Sequence, residues 1–148
     1  MATYLSTELG GSANQTSAPV GYKPRASVYG GRLKRLRATV TLASQATTDT
    51  LQLGNLPAGS VFAFGVLNSD TSLGSSTLAI GISGTTGKYR AAATFTSTDT
   101  PTPFGKAVEE AASDAGLSAE QTVIGTIASA ALPSSGTLVV DLFYSIPN

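Results

Sequence analysis

The chain has 148 residues, enough for one domain with a buried core, yet only 12% of them are charged and nine Lys and Arg balance nine Asp and Glu. A neutral, weakly charged surface protects a lone monomer poorly against association, so the composition points to an assembled subunit. With neither cysteine nor histidine, the chain lacks a disulfide framework, a Cys or imidazole metal site and any histidine-dependent nucleophile.

Residues 1–31 are rich in Gly, Ser, Thr, Pro and Ala and show no helical or alternating apolar period. They read as an extended arm that gains order by lying on a partner, which must offset about 1–2 kcal/mol of backbone entropy per fixed residue. The opening MATYLSTELGG lacks the basic region and apolar run of a secretory leader, and no stretch approaches a spanning helix. Synthesis in a cytoplasm is expected, and the sequon at Asn14 to Thr16 has no secretory context.

From Leu33 the period becomes two. Leu36, Ala38, Val40 and Leu42 share one side of a strand, and Arg35, Arg37, Thr39 and Thr41 share the other. A short strand follows around Leu51 and Leu53, then a turn over Leu56 to Gly59 with Pro57 in its second position. SVFAFGVLN, with Phe62, Phe64 and Val66 opposed to Val61, Ala63 and Leu67, predicts a strand covered on two sides. TLAIGIS and YRAAATFTS give two more strands, the latter with Tyr89, Ala91, Ala93 and Phe95 on one face. The segment TPFGKAVEEAASDAG predicts one helix, with Thr102 as cap, Pro103 in the first turn and Gly116 past its end. TVIGTIASAALPSSGTLVVDLFYSI reads as a long hairpin around LPSSG, whose inward face is Leu138, Val140, Leu142, Tyr144 and Ile146. The expected fold is all-β, a jelly-roll-like sandwich or barrel over residues 32–148, with one short helix and the extended N-terminal arm.

Three features suggest chemistry and do not sustain it. GISGTTGKY comes near the spacing of a phosphate-binding loop, but Ile82 stands where its first Gly belongs, Tyr89 replaces the magnesium-binding hydroxyl, and a strand follows where a helix must present its N–H groups. Asp-Thr at Asp49, Asp70 and Asp99 brings paired carboxylates to mind, but none is followed by Gly, and turn composition explains them. Glu110 and Asp114 share a helical face on which like charges repel, the pattern of a solvated surface. No enzyme activity and no cofactor are expected.

The remaining signal is charge. Six of the nine cations, Lys23, Arg25, Arg32, Lys34, Arg35 and Arg37, fall before residue 38 and are interleaved with Tyr22 and Tyr29, while Glu8 is the sole acid before Asp49. Such a stretch can hold phosphates and stack bases, which keeps a nucleic-acid-binding module as an alternative. The neutrality of the whole chain argues against nucleic acid as the main partner. An acidic protein surface fits better, because Arg grips carboxylates in the same bidentate way. These eight residues form the candidate partner-binding site.

MATYLSTELGG, VYGGRLKRLRATVTLASQATTDTLQLGNLPAGSVF, SLGSSTLAIGI and KYRAAATFTSTDTPTPFGKA resemble small structural proteins of tailed bacteriophages over most of the chain. The resemblance is compositional and is strongest to capsid decoration, or cement, proteins. It implies a β-rich domain that forms a homotrimer on the virion's capsid surface, binds the major capsid protein and ties capsomers together, with no membrane partner. A tail-tube, head-tail joining or fibre-base subunit is the alternative within the same class.

Overall fold

The computed structural model describes residues 31–112 and 116–146. Eight strands and one helix follow in chain order: β1 (Leu33–Thr41), β2 (Thr50–Leu56), β3 (Val61–Ser69), β4 (Thr77–Ile82), β5 (Thr85–Thr94), β6 (Thr102–Phe104), α1 (Ala107–Ala112), β7 (Gln121–Ala128) and β8 (Thr137–Ser145). They build two antiparallel four-stranded sheets, one ordered β1-β8-β3-β6 and the other β2-β7-β4-β5. Only β4 and β5 are consecutive strands that stay in one sheet. Every other connection crosses to the facing sheet, which is the winding of a jelly roll. The expected all-β sandwich with one short helix is therefore the observed fold.

The core lies between the sheets and is filled by the alternate residues that the period of two selects. In β1, Ala38 is buried and Leu36 and Val40 half-buried, while Arg35, Arg37, Thr39 and Thr41 are exposed. In β8, Leu138, Val140 and Leu142 are fully buried, and Tyr144 packs against the same core. Tyr89 meets Phe62 across the gap at 4.4 Å between ring centroids. Each such fully buried large side chain contributes about 1.5–3 kcal/mol.

Four sequence expectations are corrected. The LPSSG segment does not close a hairpin: β7 pairs with β2 and β4, whereas β8 pairs with β1 and β3. Instead the connection crosses the end of the sandwich, burying Leu132, whose N–H donates to the Gln45 carbonyl at 2.9 Å. Thr102 and Pro103 belong to β6, and the helix begins only at Ala107. The pairing of Gly65 with Phe104 draws that segment onto the sheet edge, a tertiary contact that overrides local capping chemistry. The turn after β2 runs one residue later than expected, with the Ser60 N–H donating to the Pro57 carbonyl at 3.1 Å.

The fourth correction concerns β3. A register shift between Phe62 and Phe64 inserts Ala63 as a bulge, so Phe62 faces the core and Phe64 faces out. Ala91 and Ala93 are likewise exposed, because shifts in the β4–β5 pairing break the alternation that Tyr89 and Phe95 begin and end.

Candidate interaction surface

Of the eight candidate residues, Tyr22, Lys23, Arg25 and Tyr29 lie outside the described residues, as does almost all of the proposed arm. The other four sit at the start of the domain: Arg32 just before β1, and Lys34, Arg35 and Arg37 within it. β1 is the edge strand of its sheet and pairs with β8 in one unbroken register from Leu33 opposite Ser145 to Thr41 opposite Thr137. Alternation sends Arg35 and Arg37 to the outer face, since the apolar residues between them fill the core.

One of these cations is neutralised within the chain. Arg37 lies opposite Asp141 on β8 and grips it with both prongs of its guanidinium, Nε to Oδ1 at 2.7 Å and Nη2 to Oδ2 at 2.6 Å. The hydrogen bond raises the Arg37 guanidinium above its ordinary value. It also holds the Asp141 carboxyl below the usual carboxylate range, against the opposing effect of burial and with help from the charge of Arg35. Nothing local announces this pair, because 104 residues separate its members.

Beside the pair, Phe64 and Phe143 stack at 4.6 Å between ring centroids, 18° from parallel. Phe64 is 37% exposed and Leu33, at the start of the edge strand, 56%. The outer face of this sheet thus carries an apolar patch bordered by the cations of β1. The bulge at Ala63 is what turns Phe64 outward, and nothing in the local sequence announced it.

Charge is segregated along the chain. Residues 1–37 hold six cations and one acid, which leaves three cations and eight acids for the rest. Asp49, Asp70 and Asp99 fall in three loops at one end of the sandwich, the end where β1 finishes, while Arg32 and Lys34 lie at the other. Two of these acids fasten their turns. Asp49 accepts from the Ala46 N–H at 2.7 Å, and Asp70 accepts from the Thr137 N–H at 2.8 Å and the Thr71 hydroxyl at 2.9 Å. The turn reading of the Asp-Thr pairs is the one the geometry supports.

The GISGTTGKY segment is the β4–β5 hairpin, with Ile82 opposite Thr85 across Ser83 and Gly84. It carries no helix to receive a phosphate. A cleft of about 230 Å³ lies nearby, lined by Lys88, Tyr89, Glu109, Leu117 and Gln121 among others. Lys88 and the Tyr89 hydroxyl both donate to Gln121 Oε1, at 3.0 and 3.1 Å. Burial, with the charge of Glu109, pushes the Tyr89 hydroxyl up to about 12, so it remains protonated and structural. Among the described residues no group of three or more Asp and Glu is placed to hold a metal ion, and no helix is long and apolar enough to cross a membrane.

No protein-family model and no curated protein matches the chain. Solved structures do. A chain of the cyanophage Pam1 capsid asymmetric unit superposes with a TM-score of 0.63 at 23% identity, over 92% of this chain and 96% of its own. A chain of the capsid of Ralstonia phage GP4 gives 0.63 at 22% identity, over 80% and 86%. A chain of the acid-stable capsid of Helicobacter pylori bacteriophage KHP30 gives 0.57 at 14% identity, over 78% and 89%. These likenesses show a shared fold, extending over nearly the whole of chains close to this one in length.

Proposed function

We propose that this chain is a structural protein of a tailed-phage virion, a decoration or cement protein that sits on the outer surface of the head and ties capsomers together. The observation that carries this reading is the likeness in fold, over 78% to 92% of this chain, to chains from three phage capsids, each of similar size to this one. Chemistry agrees with it. The chain has no histidine or cysteine, Asp49 and Asp70 fasten turns, Asp141 is held by Arg37, and Tyr89 is buried and hydrogen-bonded. Nothing here asks for catalysis.

The physical logic follows from the charge distribution. A head packed with DNA is strained outward, and a clip that buries surface across capsomer boundaries opposes that strain. Residues 1–31 act as an arm along the major capsid protein, and the basic start of β1 continues the same contact onto the domain. The candidate residues other than Arg37, which Asp141 already holds, bind carboxylates on that protein. The sandwich, with few charges to keep copies apart, associates with itself as a trimer.

Removal of residues 1–31 tests this reading. The truncated domain should remain folded, since both four-stranded sheets and the core between them are built from residues 33–145, but should no longer co-sediment with phage heads lacking the protein. Electron microscopy should show the full chain at many copies over the shell. Density confined to one vertex or to the tail would overturn the decoration assignment.

A further inference from the structure

We infer that the open edge of β1 receives an additional strand, an extended carboxylate-bearing segment of a neighbouring protein. The inference deepens the decoration reading by naming how the capsid partner is gripped, and it rests on that reading only for the partner's identity.

The two sheets present four edge strands, and three of them are blunted. β6 has three residues and contains Pro103, which has no N–H to give. β2 is broken by a register shift between Gln52 and Gly54, and β5 by two shifts against β4. Bulges and short, proline-bearing edges are how sheets avoid accepting a further strand. β1 has neither: nine residues run against β8 without a shift.

The ladder shows which backbone groups point away from the sheet. The Leu42 N–H donates to the Gly136 carbonyl at 2.8 Å, so even-numbered residues of β1 direct their N–H and C=O toward β8. Odd-numbered residues direct theirs to the open side. The Thr41 carbonyl is taken by the Gln45 side-chain amide at 2.9 Å. Among the described residues no partner meets the outward N–H and C=O groups of Arg35, Arg37 and Thr39. An antiparallel or parallel strand laid here would pair them and extend the sheet to five strands.

Side chains specify the guest. Arg35 and Lys34 are exposed beside this edge, and Asp141 on the neighbouring strand is already held by Arg37. Carboxylates on the incoming strand would sit opposite these cations, as cross-strand pairs of opposite charge do. A second copy's β1 would instead bring its own Arg35 and Arg37, adding positive charge where negative charge is wanted. The cations thus select the partner and discourage self-pairing.

The test uses Thr39→Pro in the full chain, together with amide hydrogen exchange. Residue 39 points its N–H to the open side, so proline there leaves the β8 ladder intact and the melting temperature close to that of the unsubstituted protein. The probes are phage heads lacking the protein and the extended peptide acetyl-Thr-Glu-Val-Glu-Val-Glu-Val-amide. In the free chain the amides of residues 35, 37 and 39 should exchange fast, and either probe should slow them. Thr39→Pro should weaken binding about tenfold, one lost strand register's worth of main-chain pairing, and Thr39→Ala should bind as before. Protection of these amides already in the free chain would overturn the inference, because residues 1–30 or a second copy would then hold the edge. So would fast exchange at saturating peptide, or undiminished binding by Thr39→Pro. Protection by the peptide without any binding to heads would leave the edge inference standing and remove the decoration reading.

Discussion

Gly65 offers the sharpest check on how the edge strand β6 is fastened to its sheet. Its position lies opposite Leu142 on β8 and Phe104 on β6, and a Cβ built on it would stand 2.1, 2.5 and 2.7 Å from three atoms of the Phe104 ring. No carbon contact survives at such distances, and a ring in a packed site cannot yield without leaving it. Gly65→Ala should therefore expel Phe104 and cost about 2 kcal/mol, the overpacking penalty together with the lost burial of a partly covered ring. Phe104→Ala should cost about 2 kcal/mol by itself, less than a fully buried phenylalanine because its ring only flanks the core. The double variant should cost no more than Phe104→Ala, since the ring that clashes is gone, giving a coupling of about 2 kcal/mol. Urea unfolding followed by circular dichroism and tyrosine fluorescence, at one protein concentration, would measure all four corners of the cycle. Additive costs, with the double variant losing about 4 kcal/mol, would refute the placement of Phe104 over Gly65.

Other expectations follow from the ionisable groups. Asp141 has its carboxyl depressed in the folded state, so its contribution to stability is fully present above the unfolded carboxylate value of about 3.9 and is lost as pH falls through the lower folded value. Unfolding midpoints measured between neutral pH and pH about 3 should fall more steeply for the wild type than for Asp141→Asn; parallel curves would show that the Arg37 pair does not form. For Tyr89 the sign is opposite: its hydroxyl is raised to about 12, so the folded state loses stability as pH rises between the unfolded tyrosine value of about 10 and that point. Ultraviolet titration should show a late-ionising component that Tyr89→Phe removes, and a high-pH titration limb unchanged by that substitution would contradict the burial of Tyr89. Gly54, at a φ of 141° with Leu36 Cδ2 only 2.7 Å from a Cβ built there, should lose about 1–3 kcal/mol on substitution by Ala, read from the same urea curves.

By itself the sequence determined the class of the fold. Apolar residues alternate in β1, β7 and β8 because a sheet with one face on a core admits no other pattern, and turn residues mark where each strand stops. It also narrowed the chemistry, since a chain without histidine or cysteine has no imidazole or thiolate to offer as base, nucleophile or metal ligand. The cations of β1 were legible as a displayed row because their spacing is purely local. Only the tertiary structure decided which strands meet. The winding that separates β7 from β8, the capture of Thr102 and Pro103 by β3 to form edge strand β6, the outward turn of Phe64 and the pairing of Arg37 with Asp141 all depend on partners far away in the chain. Local propensity is silent on such contacts, and their energies are comparable to the preferences they override.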